Sequence, residues 1–309
     1  MTTQPSTLVD RSDARPGTRR LPDFLIIGAA KSGTSTLTDY LRLHPRIWVS
    51  PIKEPEFFAV DRVYERGFDW YRELFESAGP DQFCCEASTA YTRWPQLPSA
   101  AARIAQALPN AKLIYLMRHP IDRAYSHYVH RVTKEVYPGQ PIRWTFEEHV
   151  ANDPMCLDGS RYMDQIEQYL RYYPKGAFLF LFTDELNRDP KATLSKVWRF
   201  LGIPDIDPGD EPLVSNETGS QREGKIRAQT TGPLRSLPGL YRLAKEFPQS
   251  WRDGFYRLLQ KSRYGRWMRR RHTPPKLLPE TRRRLVDEFR EGNERLSKFL
   301  GVDLSHWSS

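Results

Sequence analysis

The sequence predicts an α/β fold. A mostly parallel central sheet is flanked by helices on both faces, and a helical extension follows at the C-terminal end. Three observations carry this. Short apolar runs alternate with helical stretches from Phe24 to Leu201. The first run, Phe24 to Ile27, passes directly into a loop of small residues and then an amphipathic helix. From Pro212 the alternation stops, and Pro279 to Leu300 reads as one long final helix.

The elements follow in order. Phe24-Leu25-Ile26-Ile27 is a buried strand, and a helix runs from about Gly33 to Leu43. Ile47-Trp48-Val49 is a second, short strand. Ser50 to Phe58 leaves the sheet, because Pro51 and Pro55 cannot join a regular ladder. Phe68 to Phe75 is an amphipathic helix, and Gln82 to Glu86 a strand. Pro95 to Leu108 reads as a helix with proline near its start. Lys112 to Leu116 is the next strand, and Pro120 opens a helix to about Val132. Tyr162 to Tyr172 is helical, and Ala177 to Phe182 is a continuous apolar run suited to a strand buried on both faces. Pro190 to Leu201 is a helix stopped by Gly202 and Pro204. Residues 212–231 are polar and loop-like, and 234–271 are helical in tendency but broken by proline and glycine.

The chain has 309 residues, enough for a substantial core. Residues 1–20 are polar, without an apolar h-region, and read as a disordered leader. Residues 21–309 read as one domain, with a core of about 21–224 and a helical extension of about 225–309. A cytoplasmic location is the expectation. Three cysteines, Cys84, Cys85 and Cys156, make neither a disulfide framework nor a metal spacing, and no metal is expected. The net charge of +9 suits an anionic ligand without choosing one.

The loop Gly28-Ala29-Ala30-Lys31-Ser32-Gly33-Thr34-Ser35-Thr36 carries the chemistry. Small residues let backbone N–H groups close around an anion, and the helix N-terminus adds positive potential. Lys31 adds a full charge, so a phosphate is the expected guest. The loop is P-loop-like but not a Walker A motif: Gly28 and Gly33 are correctly spaced, yet the lysine precedes Gly33 instead of following it. A second constellation starts at the tip of the Lys112 to Leu116 strand. Arg118 stands there and Ser126 lies two turns into the following helix, so together they can hold one phosphate.

The loop pattern K-x-G-T, and the strand–Arg118–seven residues–Ser126-x-Tyr128 pattern, resemble the two phosphate motifs of sulfotransferases that use PAPS (3′-phosphoadenosine 5′-phosphosulfate). Lys53-Glu54-Pro55-Glu56-Phe57-Phe58 is similar to the K-E-P-x-F-F segment of the heparan-sulfate (N- and 3-O-) group and its bacterial relatives. The segments 67–71, 86–91 and 159–169 are similar in kind and order, and the resemblance spans about residues 22–222. It implies that Lys31, Ser32, Gly33, Thr34, Ser35 and Thr36 hold the 5′-phosphosulfate. Arg118 and Ser126 would hold the 3′-phosphate, and Arg222, in Asn216 to Arg222, would close over the nucleotide. Glu54 would be the general base, Lys31 would stabilise the leaving phosphate, and Lys53 could assist the sulfuryl group. PAPS would be the co-substrate and PAP the product. The acceptor would be a small molecule, glycan or lipid, with a hydroxyl or amine as nucleophile.

Two departures concern the acceptor. Glu56 stands where glucosamine 3-O-sulfotransferases carry histidine, and Ala87 where they carry lysine. Both bear on a heparan-like acceptor and leave the nucleotide chemistry untouched. His44, His119, His127 and His130 read as structural or solvated. The basic run from Lys261 to Arg271 reads as a solvated face, with contact to an acidic acceptor or a membrane surface as the other uses; no nucleic acid is expected, and the oligomeric state is open. The competing functions are a P-loop kinase, which the displaced Lys31 opposes, and a noncatalytic protein that binds polyanions or membrane surfaces.

Overall fold

A computed structural model describes residues 20–135, 142, 144–209 and 273–308. The leader except Arg20, the segment Asn216 to Arg222 and the basic run 261–271 lie outside the described residues. Arg20 is tied to the core, donating to the carbonyls of Gly79 (2.9 Å) and Gln82 (2.7 Å).

Five parallel strands make the sheet: β1 (Phe24–Gly28), β2 (Ile47–Val49), β3 (Phe83–Ala87), β4 (Lys112–Met117) and β5 (Phe178–Phe182). Their order is β2-β3-β1-β4-β5, so β1 is central. Every residue of β1 is buried, because both faces of a parallel sheet are covered. Side chains alternate between those faces. Leu25 and Ile27 pack with Cys84, Leu113 and Tyr115 on one side. Phe24 and Ile26 pack with Cys85, Ile114 and Leu116 on the other. Each fully buried apolar side chain here contributes roughly 1.5–3 kcal/mol.

The helices are α1 (Thr34–Leu41), α2 (Asp61–Tyr64), α3 (Gly67–Glu73), α4 (Ala100–Ala107), α5 (Pro120–His130), α6 (Phe146–Asn152), α7 (Met155–Asp158), α8 (Tyr162–Leu170), α9 (Thr183–Arg188), α10 (Pro190–Leu201) and α11 (Pro279–Leu300). Helices α10 and α11 span the residues that the sequence predicts for them, each stopped by a left-handed glycine, Gly202 and Gly301. Helix α4 starts at Ala100 instead of Pro95. Gln165 accepts a hydrogen bond from Trp94 N and donates to Trp94 O, both at 2.8 Å, which holds that stretch in a non-helical conformation. Helix α5 ends at His130, and a wider turn continues through Glu135. Helix α11 is docked on the core by Leu285, Phe289 and Leu296 and by the Arg161–Glu288 ion pair. No described helix is long and apolar enough to cross a membrane.

Candidate active site

Ligands of open parallel sheets bind beyond the carboxyl ends of the strands, where the strand order reverses. Here that point is the end of β1, flanked by β3 and β4. Gly28 closes the strand because no side chain fits: a Cβ there would lie 2.1 Å from Thr92 Oγ1 and 2.9 Å from the Tyr115 ring. The loop then folds on itself, with Ser32 N donating to Ala29 O at 3.1 Å. Lys31 (φ +71°) and Gly33 (φ +91°) take left-handed conformations, which turn the chain into α1. Glycine does this freely, whereas a non-glycine residue held there costs about 1 kcal/mol or more. Thr183, at the start of α9, fixes the loop to the end of β4; its Oγ1 lies 2.6 Å from Ser32 O and 3.0 Å from Met117 O.

The first turn of α1 has no side-chain cap and no acidic residue. Its N–H groups therefore meet the loop without a built-in anion, which fits a phosphate there. An open cleft begins at this turn. Thr34 and Ser35 from α1 line it, as do Lys53 and Glu54 from the segment after β2. The structure thus brings the phosphate loop's helix and the Lys53–Glu54 pair together, from opposite sides of β3. Arg118 and Ser126 lie outside this cleft, at the tip of β4 and two turns into α5. Tyr162 fixes that tip, accepting from Arg118 N (3.2 Å) and donating to Arg118 O (2.7 Å).

The Glu54 segment is held from below. Glu54 (φ +49°) and Glu56 (φ +55°) are both left-handed, a strained turn for two non-glycine residues. Thr89 Oγ1 donates to Glu54 Oε2 at 2.8 Å, which aims the carboxylate. Glu56 N donates to Ser88 Oγ at 2.9 Å, and Ser88 Oγ donates to Glu86 Oε2 at 2.8 Å. Phe57 and Phe58 are fully buried and anchor the far end; Phe57 stacks on Tyr71 at 4.3 Å.

Glu86 is the residue that sequence reasoning misses. It is fully buried and also accepts from Tyr71 OH (3.1 Å) and Tyr91 OH. Burial pushes its carboxyl up to about 7, against the three hydroxyl donors that favour the ionised form; nearby Glu54 adds to the rise. The available signal is a lone acid in an otherwise apolar strand, Phe83-Cys84-Cys85-Glu86-Ala87. Asp39 and Arg42, paired at 3.0 Å, also line the cleft from α1. Their spacing from Ser35 places them on the same helix face, a regularity visible in the sequence.

The histidines divide as structural groups. His44 contacts Pro204 O at 2.9 Å and packs on Trp198. His119 is buried with neither ring nitrogen hydrogen-bonded, and burial lowers its basicity. No group of acids, histidines or cysteines among the described residues could hold a metal ion.

An uncapped helix end beside a lysine loop, with a carboxylate lining the adjoining cleft, is an arrangement that can grip a phosphorylated donor and deprotonate an acceptor. Comparison with known proteins gives the class its family. The profile of the sulfotransferase domain matches residues 21–220, and the chain belongs to the sulfotransferase family. It is 31% identical over 278 residues to human heparan sulfate glucosamine 3-O-sulfotransferase 6, covering 82% of this chain and 79% of that one. It is 33% identical over 204 residues to the human bifunctional heparan sulfate N-deacetylase/N-sulfotransferase 2, but these are 60% of this chain and only 22% of that protein. The fold is similar to a sulfotransferase from Alicyclobacillus acidocaldarius, with a TM-score of 0.66 and 23% identity, over 94% of this chain and 100% of that one. The protein is therefore an enzyme that takes a sulfuryl group from PAPS and releases PAP. Neither the kinase nor the noncatalytic reading finds support among these relatives.

Proposed function

We propose that the chain sulfates a hydroxyl or amine of a carbohydrate-containing acceptor, with Glu54 as the general base. One observation carries this reading: Glu54, aimed by Thr89, lines the same cleft as the N-terminal turn of α1. Glu54 takes the acceptor's proton as the acceptor oxygen or nitrogen bonds to sulfur. The bond from sulfur to the 5′-phosphate oxygen breaks at the same time, and Lys31 with the α1 amides stabilises the charge that grows there. Ser32, Gly33, Thr34, Ser35 and Thr36 line the donor's phosphosulfate, and Lys53 steadies the group in transfer. Arg118 and Ser126 hold the 3′-phosphate from the β4 side, which makes the site selective for a 3′-phosphorylated nucleotide.

The named substrates of the relatives support a glycan acceptor. The cleft walls refine it. Arg42 is paired with Asp39, and Lys53 sits beside Glu54, so cations and acids are balanced there. Ala87 lines the cleft without a charge. This balance suits a sugar of lower charge density than heparan sulfate. The test has two arms. Adenosine 3′,5′-bisphosphate should raise the melting temperature far more than AMP or ATP with magnesium. A panel of neutral and anionic glycans, given PAPS, should then show the mass gain of one SO3 group on the neutral members. Greater stabilisation by magnesium–ATP overturns the donor assignment; sulfation confined to the most anionic glycans overturns the acceptor assignment.

A further inference from the structure

Arg123 lies on the buried side of α5 and is 1% exposed. Its Nε donates to Ser160 Oγ at 2.6 Å, and one terminal nitrogen donates to Cys156 O. The other reaches Ala30 O at 3.2 Å and His127 Nδ1 at 3.3 Å. None of these four acceptors is a carboxylate. Burial and then the positive field of Arg123, Arg93 and Arg131 push His127 down to about 2, so it is neutral and its Nδ1 accepts. The guanidinium keeps its charge at every working pH. The pocket behind the phosphate loop therefore carries a fixed, buried positive charge.

Such a charge is expensive unless it is hydrogen-bonded and meets an opposite charge. The fold makes room for it. At Gly159, whose φ of −66° suits any residue, an added Cβ would lie 3.1 Å from the Arg123 terminal nitrogen and 3.3 Å from Cζ. The glycine serves space, not backbone conformation. The link to the loop is equally specific. Ala30 O belongs to the peptide whose N–H is that of Lys31. In a planar trans peptide the C=O and N–H point opposite ways. Holding the carbonyl toward Arg123 therefore turns the Lys31 N–H away from it, to the other side of the loop.

We propose that Arg123 is a positioning residue for the 5′-phosphate of the donor: it orients the Ala30–Lys31 peptide and supplies a second positive charge behind Lys31. The proposal rests on the reading of this loop as the donor site. Its role is separable from that of Arg118, which serves the 3′-phosphate.

The experiment is calorimetric titration of adenosine, 5′-AMP, adenosine 3′-phosphate and adenosine 3′,5′-bisphosphate into the full chain. The 5′-phosphate contribution is the affinity gain from adenosine 3′-phosphate to the bisphosphate. The 3′-phosphate contribution is the gain from 5′-AMP to the bisphosphate. Arg123→Met should reduce the first by about tenfold or more, the scale of losing a charge-assisted hydrogen bond, and change the second by less than about threefold. Gly159→Ala keeps the charge and every acceptor but presses on the guanidinium; it should lower the 5′-phosphate contribution by roughly threefold. If Arg123→Met does not fold, Gly159→Ala alone decides. An equal fall in both contributions means a merely structural arginine and overturns the proposal, as does no change in either. A wild-type protein that fails to prefer the bisphosphate over 5′-AMP refutes the donor reading instead. Arg123 is then judged on 5′-AMP against adenosine.

Discussion

Glu86 gives the most discriminating test of how the site is held together. Replacing it with glutamine removes one titration and keeps the shape. In the folded protein the carboxyl titrates at about 7, against an ordinary value of 4.5. The folded state therefore binds the proton more tightly than the unfolded chain does. Stability from this group is fully present below pH 4.5 and is lost as the pH rises to about 7; above that the two states run parallel. The difference of 7 and 4.5, at 1.36 kcal/mol per unit, amounts to about 3 kcal/mol. Burial sets the direction, ahead of the groups that face the carboxyl. Tyr71 from α3, Tyr91 and Ser88 from the residues after β3, and Glu54 from the cleft wall include no cation. The assay is urea unfolding of the wild type and Glu86→Gln at steps from pH 4.5 to 8. The wild type should lose about 3 kcal/mol relative to the variant across that window. A constant difference, or a wild type that gains on the variant as pH rises, would show that the three hydroxyls match or outweigh burial and refute the reasoning.

Three further outcomes are expected. Glu54→Gln should bind adenosine 3′,5′-bisphosphate like the wild type and lower kcat by roughly 100-fold, while Glu56→Gln has a smaller effect; equal activity of both variants would move the base elsewhere. Arg118→Ala should abolish the preference for the bisphosphate over AMP in a thermal-shift assay, since it removes charge-assisted hydrogen bonds; a retained preference would place the 3′-phosphate on other residues. Gly28→Ala should destabilise the fold by about 3 kcal/mol on denaturant titration, because Thr92 Oγ1, bonded to Ile27 O at 2.9 Å, has no direction to yield; a loss below roughly 1 kcal/mol would mean that the strand end relaxes.

The parallel sheet is plain in the sequence because its strands are apolar runs bounded by punctuation, and burial on both faces leaves little polar interruption to disguise them. The same logic hides Glu86: a strand that is apolar on both faces should not carry an acid, so the acid reads as the strand's end. The start of helix α4 misleads because Pro95 suits a first helical turn, and nothing local foretells that Gln165, from α8, captures the backbone of Trp94. Lys31, Arg118 and Glu54 enter as candidates through their motifs. Arg123 falls inside one of those motifs without being one of its phosphate ligands, although Pro120, Ile121, Ala124, His127 and Tyr128 mark the buried face of α5 to which it belongs. The turn of the Glu54 segment is not legible. Its two left-handed glutamates are held by hydrogen bonds to Ser88 and from Thr89, 32 and 35 residues away.

The central place of β1 separates the two halves of the site in mechanical terms. Its amides are paired on both sides, so they exchange with solvent only when the sheet itself opens. The Lys31 loop hangs from the part of the molecule that moves last. The Lys53–Glu54 segment instead leaves β2, a three-residue strand on the sheet's edge, held on one side only. Residues there can be exchanged, and the cleft reshaped, with little disturbance of the strand that carries the Lys31 loop. A single fold can thus keep one sulfuryl donor while its edge is redrawn for many different sugars or alcohols.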